Sequence, residues 1–156
     1  MDTPDYRPAR LDDFTGLVDL YRHLSSDDHV ASEDLQRTTF AQMLAQPGLT
    51  VLVASLESQL LATLTLIVIP NLTRGCAPYA LIENVVTRIE YRGLGIGRRL
   101  LETAQQSAWQ SGCYKIMLMS GAQNQKAHAF YERAGFLKSK TGFELRRPGY
   151  PSRKLD

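Results

Sequence analysis

The stretch Tyr91-Arg92-Gly93-Leu94-Gly95-Ile96-Gly97-Arg98-Arg99-Leu100-Leu101 sets three glycines at spacing two against the first turn of an amphipathic helix. Glycine admits positive φ and lets backbone approach a ligand. The first amides of the following helix lack intrahelical acceptors and point outward along the dipole. A Val-, Ile- and Leu-rich run, Tyr79 to Thr87, precedes the turn and reads as a strand. Strand, glycine turn and helix together form a backbone site for a phosphate or pyrophosphate, although the same glycines in isolation also fit a plain tight turn. The dinucleotide fingerprint G-x-G-x-x-G is not met, because Arg98 and Leu100 stand where its last glycine is needed. No acidic residue closes the next strand, where Met117-Leu118-Met119-Ser120 stand, and no Gly is followed by Lys and Ser or Thr as a P-loop requires.

Around this turn the chain alternates helix and strand signals. Tyr6 to Arg10 is expected as a first strand. Asp12 or Asp13 then caps a helix carrying Phe14, Leu17, Val18, Tyr21 and Leu24 at helical spacing. Ser32-Glu33-Asp34 opens a second helix with Leu35, Phe40, Met43 and Leu44, which Pro47-Gly48 ends. Leu49 to Leu56 and Gln59 to Ile69 flank the turn Glu57-Ser58 as a hairpin, and Pro70 to Pro78 is a loop. From Gly97 to about Ser111, Leu100, Leu101, Ala104 and Ala108 make one stripe, stopped by Gly112. A strand Lys115 to Ser120 and a helix Asn124 to Ala134 follow. Phe136 to Lys138 and Thr141 to Arg146 are expected as closing strands, and the tail from Pro148 as irregular.

A chain of 156 residues, 44% hydrophobic and 22% charged, suits one α/β domain over 1–156. A formal charge of +2, with cations dispersed, argues against nucleic-acid binding. The longest apolar run, Leu60 to Ile69, is short for a membrane span, and Asp2 and Asp5 stand where a signal peptide has basic residues. A cytoplasmic protein with no membrane partner is therefore expected. Cys76 and Cys113 lack metal or redox spacing and read as free thiols, and His23, His29 and His128 have no mutual metal spacing, so no metal is expected. Trp109 reads as partly buried packing and Cys113 as a small core residue.

The segment resembles the acyl-CoA-binding core of the GCN5-related N-acetyltransferases, the GNAT family, whose R/Q-x-x-G-x-G/A signature is met from Arg92 to Gly97. The family's Asn-x-x-Ala-x-x-x-Tyr run and Tyr-Glu-x-x-Gly-Phe block are matched by Asn124, Ala127, Tyr131, Glu132, Gly135 and Phe136. Within the family, Ile82-Glu83-Asn84-Val85-Val86, Gly112-Cys113-Tyr114-Lys115 and Phe130-Tyr131-Glu132 resemble glucosamine-6-phosphate N-acetyltransferases. The chain departs from them at Asn84 and at Met119-Ser120-Gly121-Ala122, where acidic residues are common.

This resemblance implies a mixed, mostly antiparallel sheet, splayed between its fourth and fifth strands and flanked by about four helices. It also implies acetyl-CoA as co-substrate. Its pantetheine arm would lie against the backbone of Val85, Val86 and Thr87, with a backbone N–H of Val85 or Val86 facing the developing oxyanion. The pyrophosphate would take amides of Arg92, Gly93, Leu94, Gly95, Ile96, Gly97 and Arg98. Asn124 would bond the arm from the other side, a role compatible with capping its own helix.

Transfer needs a neutral amine, and an alkylammonium of pKa ~10 needs a base. Glu83 is the candidate, a lone carboxylate in an apolar strand and, by strand parity, on the same side as Val85. A structural ion pair is its alternative role. Tyr131 is the candidate acid toward the leaving sulfur. A phenol near ~10 is a weaker acid than a thiol near ~8.5, so full transfer is uphill by ~2 kcal/mol while a hydrogen bond to developing charge still helps. A core tyrosine is the alternative. The expected reaction is direct acetyl transfer in a ternary complex to a small-molecule primary amine. A protein or peptide acceptor, or a non-catalytic acyl-CoA-binding module, stays open, as does a homodimer. Acceptor choice is expected from the loops Ser25 to Ala31 and Pro70 to Pro78.

Overall fold

The computed structural model describes residues 3–25 and 28–150; Met1, Asp2, Ser26, Asp27 and residues 151–156 lie outside it. The expectations for Asp2, for the middle of the 25–31 loop and for the end of the tail fall on those residues. Strand β1 (Asp5–Pro8) leads through a 3-10 turn (Leu11–Asp13) into α1 (Phe14–Arg22), and α2 (Glu33–Ala45) follows. The strands β2 (Leu49–Leu56), β3 (Gln59–Ile69) and β4 (Tyr79–Thr87) run on to α3 (Ile96–Gln110), β5 (Ile116–Leu118) and α4 (Gln125–Arg133). The sheet order is β1-β2-β3-β4-β5, antiparallel except for the parallel β4–β5 pair. This is the expected mixed, mostly antiparallel α/β architecture.

Side-chain alternation divides the sheet into two packed faces. Leu52, Ala54, Leu64, Leu66, Ala80 and Ile82 bury one face under Leu100, Leu101, Ala104 and Ala108 of α3. Burying each large aliphatic side chain there contributes about 1.5–3 kcal/mol. The other face, with Val51, Val53, Leu60 and Val86, lies under Phe14, Leu17 and Leu20 of α1 and Phe40 of α2. Leu20, absent from the expected helical stripe, is fully buried, whereas Trp109 is 53% exposed and is not core packing. It sits on the α3 face turned away from the sheet. Cys113 is buried and Cys76 exposed, both free.

Hydrogen-bonding geometry bears out one local expectation and corrects two. Asp13 does not cap α1 with its side chain, because its carboxylate accepts from Arg7 Nη1 at 2.7 Å, Arg7 Nη2 at 3.0 Å and the Arg10 amide at 2.7 Å. Ser32 does cap α2, its Oγ accepting from the Leu35 amide at 3.4 Å. The closing strands 136–138 and 141–146 are not formed, since among the described residues no segment pairs with the outer edge of β5. Without a ladder partner their apolar alternation is left in solvent, with Phe143 at 93% and Leu145 at 99% exposure.

Candidate active site

Strand β4 changes character half-way along. Up to Ile82 it is paired on both edges, with β3 and with β5, where Ala80 faces Ile116 and Ile82 faces Leu118. Beyond Ile82 the β5 pairing stops while the β3 pairing continues to Thr87. The sheet thus forks, and among the described residues no strand borders one edge of residues 83–87.

A β-bulge occupies the fork. Glu83 pairs with Thr65 and Val86 with Thr63, so Asn84 and Val85 together stand opposite the single residue Leu64. Asn84 takes the extra position with φ +53°, in the left-handed region that Asn tolerates better than most side chains. The Arg88 amide donates to Leu61 O at 2.8 Å, which makes Thr63–Val86 a hydrogen-bonded pair by alternation along the ladder. The backbone of Val86 is consequently turned to β3, and the N–H groups of Val85 and Thr87 face the open edge. This removes Val86 from the expected backbone contacts, although its side chain packs in the α1 core. The bulge also overturns the parity expected for Glu83. Glu83 lies on the α1 face with Thr65, whereas Val85 packs on the α3 face.

Tyr131 on α4 packs against the same α3-side core, between Phe130 at a ring separation of 5.2 Å and Phe136 at 6.1 Å. Burial raises the pKa of its phenol above the ordinary value, and the nearby Glu83 carboxylate raises it further. The Tyr131 phenol therefore senses the Glu83 carboxylate across the fork. Asn124 is the N-cap of α4, its Oδ1 accepting from the Ala127 amide at 3.1 Å. Its side-chain amide nitrogen has no hydrogen-bond partner among the described residues.

At the end of the open edge the chain enters the glycine turn. Gly93 has φ +78° and Gly95 φ +83°, and a Cβ at either would meet no protein atom within 4 Å. The space before them is free for a ligand. Gly97 has a different reason to be glycine, since a Cβ there would come to 2.8 Å from Thr87 Oγ1. It brings the start of α3 against the end of β4. The first i to i−4 bond of the helix runs from the Arg99 amide to Gly95 O at 3.0 Å, leaving the amides of Gly93 to Arg98 ahead of the ladder.

Arg92 turns its side chain inward, Nε donating to Thr87 O at 3.0 Å and Nη2 to His23 O at 3.4 Å, so it braces the turn on β4 and α1. Arg98 and Arg99 both pair with Glu102. The neighbouring Arg88–Asp19 pair at 2.6 Å ties β4 to α1. Sequence reasoning singled out neither residue, because only the tertiary fold brings them together. His128 Nε2 bonds Gly121 O at 2.9 Å, and no group of three or more metal-ligating side chains occurs among the described residues.

Residues 17–136 match the Acetyltransferase (GNAT) family. The chain belongs to this family. It is an acyl-CoA-dependent N-acetyltransferase, built on the α/β sheet described above. Among curated relatives it is 29% identical over 135 residues to glucosamine 6-phosphate N-acetyltransferase 1 of Dictyostelium discoideum, covering 84% of this chain and 83% of the relative. It is also 29% identical to glucosamine 6-phosphate N-acetyltransferase of Trypanosoma brucei brucei, over 85% of this chain and 88% of that protein. A solved structure from Agrobacterium tumefaciens described as an acetyltransferase superposes with a TM-score of 0.89 at 45% identity, covering 92% of this chain and 99% of that one.

Proposed function

We propose that this acetyltransferase acetylates a primary amine of a small molecule by direct transfer from acetyl-CoA, with Glu83 as base and Tyr131 as acid. The observation that carries the reading is the fork. It offers an unpaired strand edge ending in a glycine turn with open space before Gly93 and Gly95, with a carboxylate and a buried phenol in electrostatic reach of each other. Acetyl-CoA supplies the activated acyl group. Val85 and Thr87 offer it backbone groups along the edge, the amides from Gly93 to Arg98 receive the pyrophosphate, and Asn124 offers its side-chain amide.

Glu83 takes the proton from the acceptor ammonium, and the Val85 N–H stabilises the charge that develops on the acyl oxygen. As the C–N bond forms and the C–S bond breaks, Tyr131 donates toward the departing sulfur. The two groups work in sequence. A protonated Glu83 no longer raises the Tyr131 pKa, so arrival of a proton on the base makes the phenol a better donor. The curated relatives name glucosamine 6-phosphate as an acceptor, which makes an amino-sugar phosphate the first compound to try.

The experiment is thiol release from acetyl-CoA with glucosamine 6-phosphate, a polyamine, amino acids and a peptide. Turnover confined to small amines is expected. Calorimetric CoA binding without turnover on any amine would make the protein a binding module instead. A homodimer is part of the same reading. Leu137, Phe143 and Leu145 lie exposed, β5 has a free outer edge among the described residues, and a second copy would cover these features. Light scattering that gives a monomer mass at micromolar concentration would remove it.

A further inference from the structure

The β3 strand carries two buried threonines beneath the fork, Thr63 and Thr65, both on the α1 face. Thr63 is accounted for, since its Oγ1 donates to Leu52 O across the β2–β3 ladder at 2.8 Å. Thr65 is not. Its side chain is only 3% exposed and its Oγ1 has no hydrogen-bond partner of good geometry. A buried hydroxyl in that state is costly, by about 1–3 kcal/mol, unless something else engages it. Thr65 is the residue paired with Glu83. Directly opposed residues of an antiparallel pair share a face, with Cβ atoms about 4.5–5.5 Å apart. Behind it stands Tyr21 of α1, whose phenol pKa is raised by burial and eased back in part by the nearby Thr65 and Thr63 hydroxyls, so Tyr21 is within reach of Thr65 Oγ1 without forming a well-aligned hydrogen bond to it.

We infer that Thr65 is a positioning residue for Glu83: its hydroxyl donates to the Glu83 carboxylate when the fork is loaded, while Tyr21 donates to Thr65 from behind. The polarity is forced by the groups. A carboxylate only accepts, while a threonine hydroxyl and a neutral phenol each donate and accept, so once Thr65 gives its proton to Glu83 only its lone pairs remain, and Tyr21 must be the donor to them. Thr63 cannot serve, because its proton is committed to Leu52 O. Catalytic hydrogen bonds are often incomplete without ligand and close in the loaded complex, which accounts for the unpartnered Oγ1. The result is a carboxylate held in one orientation, its charged form favoured by a donor. Thr65 of β3 lies opposite Glu83 with Tyr21 of α1 behind it, and Tyr131 of α4 lies within electrostatic reach of the carboxylate. Of these, Tyr131 acts oppositely to a donor only if it ionises.

This inference rests on the proposed role of Glu83, but its test reads the carboxylate itself. The Glu83 side-chain carboxyl is titrated by carbon-13 NMR in the CoA-bound protein, its signal assigned by its loss in Glu83→Gln. In Thr65→Val, which keeps the shape and removes the hydroxyl, the titration should move to higher pH by roughly half a unit or more. Thr65→Ser should restore it, and Tyr21→Phe should move it the same way by less. Melting temperatures on the same samples identify packing effects. Coincident titrations in folded wild type and Thr65→Val, or a shift that Thr65→Ser leaves in place, would overturn the inference. Failure of the base assignment shows separately, as turnover that survives Glu83→Gln.

Discussion

The two halves of β4 share a sequence character and differ in what borders them. Tyr79 to Ile82 has β3 on one side and β5 on the other, and its inward side chains Ala80 and Ile82 are buried under α3. Glu83 to Thr87 has β3 alone, a bulge at its start and the glycine turn at its end. The first half is held by completed hydrogen bonds. The second half keeps backbone donors and acceptors available and surrounds them with a carboxylate, a phenol and free helix amides. In the proposed reading the binding site arises because a neighbouring strand ends early, with no separate lobe needed to make it.

If that contrast is right, changes in the second half should act on function with little effect on stability. Glu83→Gln should give the largest effect, lowering turnover by about 10²–10⁴-fold while acetyl-CoA affinity changes little. The loss should shrink at high pH, where more of the amine is already neutral. Rates across a pH series read this out, and equal losses at every pH would return Glu83 to a structural role.

Tyr131→Phe keeps the ring between Phe130 and Phe136 and removes one oxygen, so turnover should fall by about 10–10³-fold with melting temperature and cofactor affinity near wild type. An acyl donor with a more acidic leaving thiol needs less protonation and should narrow the defect. A fall in rate that follows lost stability would make the residue packing alone.

Gly95→Val sharpens the comparison at the far end of the open edge. Its Cβ meets no protein atom, but φ +83° resists a β-branched residue and the side chain enters the ligand's space. Acetyl-CoA affinity should weaken by about tenfold or more, measured by calorimetry on the folded variant. Unchanged affinity would take the pyrophosphate away from this turn.

The smallest effect is expected remote from the fork. Arg7 holds the Asp13 carboxyl below its ordinary pKa by direct hydrogen bonding, outweighing burial, and the Arg10 amide adds to this. The stability this contributes is present above the ordinary carboxylate pKa and is lost as pH falls through the lowered value. Asp13→Asn should cost about 1–2 kcal/mol at neutral pH, with turnover per folded molecule unchanged. The gap in melting temperature between wild type and variant should close as the solution is acidified below pH ~4.

The sequence was most legible where local chemistry decides. The β2–β3 hairpin and β4 fall where their Val-, Leu-, Ile- and Thr-rich runs meet the Glu57-Ser58 turn, Pro70 and the glycine turn. Gly93, Gly95 and Gly97 were readable because backbone shape restricts residue choice. The bulge was not, since Asn84 sits in a run that reads as continuous strand, and one inserted residue reassigns the faces of Val85 and Val86. Thr65 was equally hidden, because its pairing with Glu83 depends on register between strands. The 141–146 alternation had the right period for a strand, but among the described residues it does not join the free outer edge of β5.

The central claim is that the pantetheine arm completes the open edge of β4, and amide hydrogen exchange followed by NMR with and without CoA tests it residue by residue. The Ala80 amide already donates to Lys115 O at 3.0 Å, and Val86 is paired with Thr63, so both should exchange at the same rate in either state. Val85 and Thr87 should slow markedly on CoA addition, together with amides from Gly93 to Arg98. Protection confined to the glycine turn, with Val85 and Thr87 exchanging as fast as before, would contradict the account.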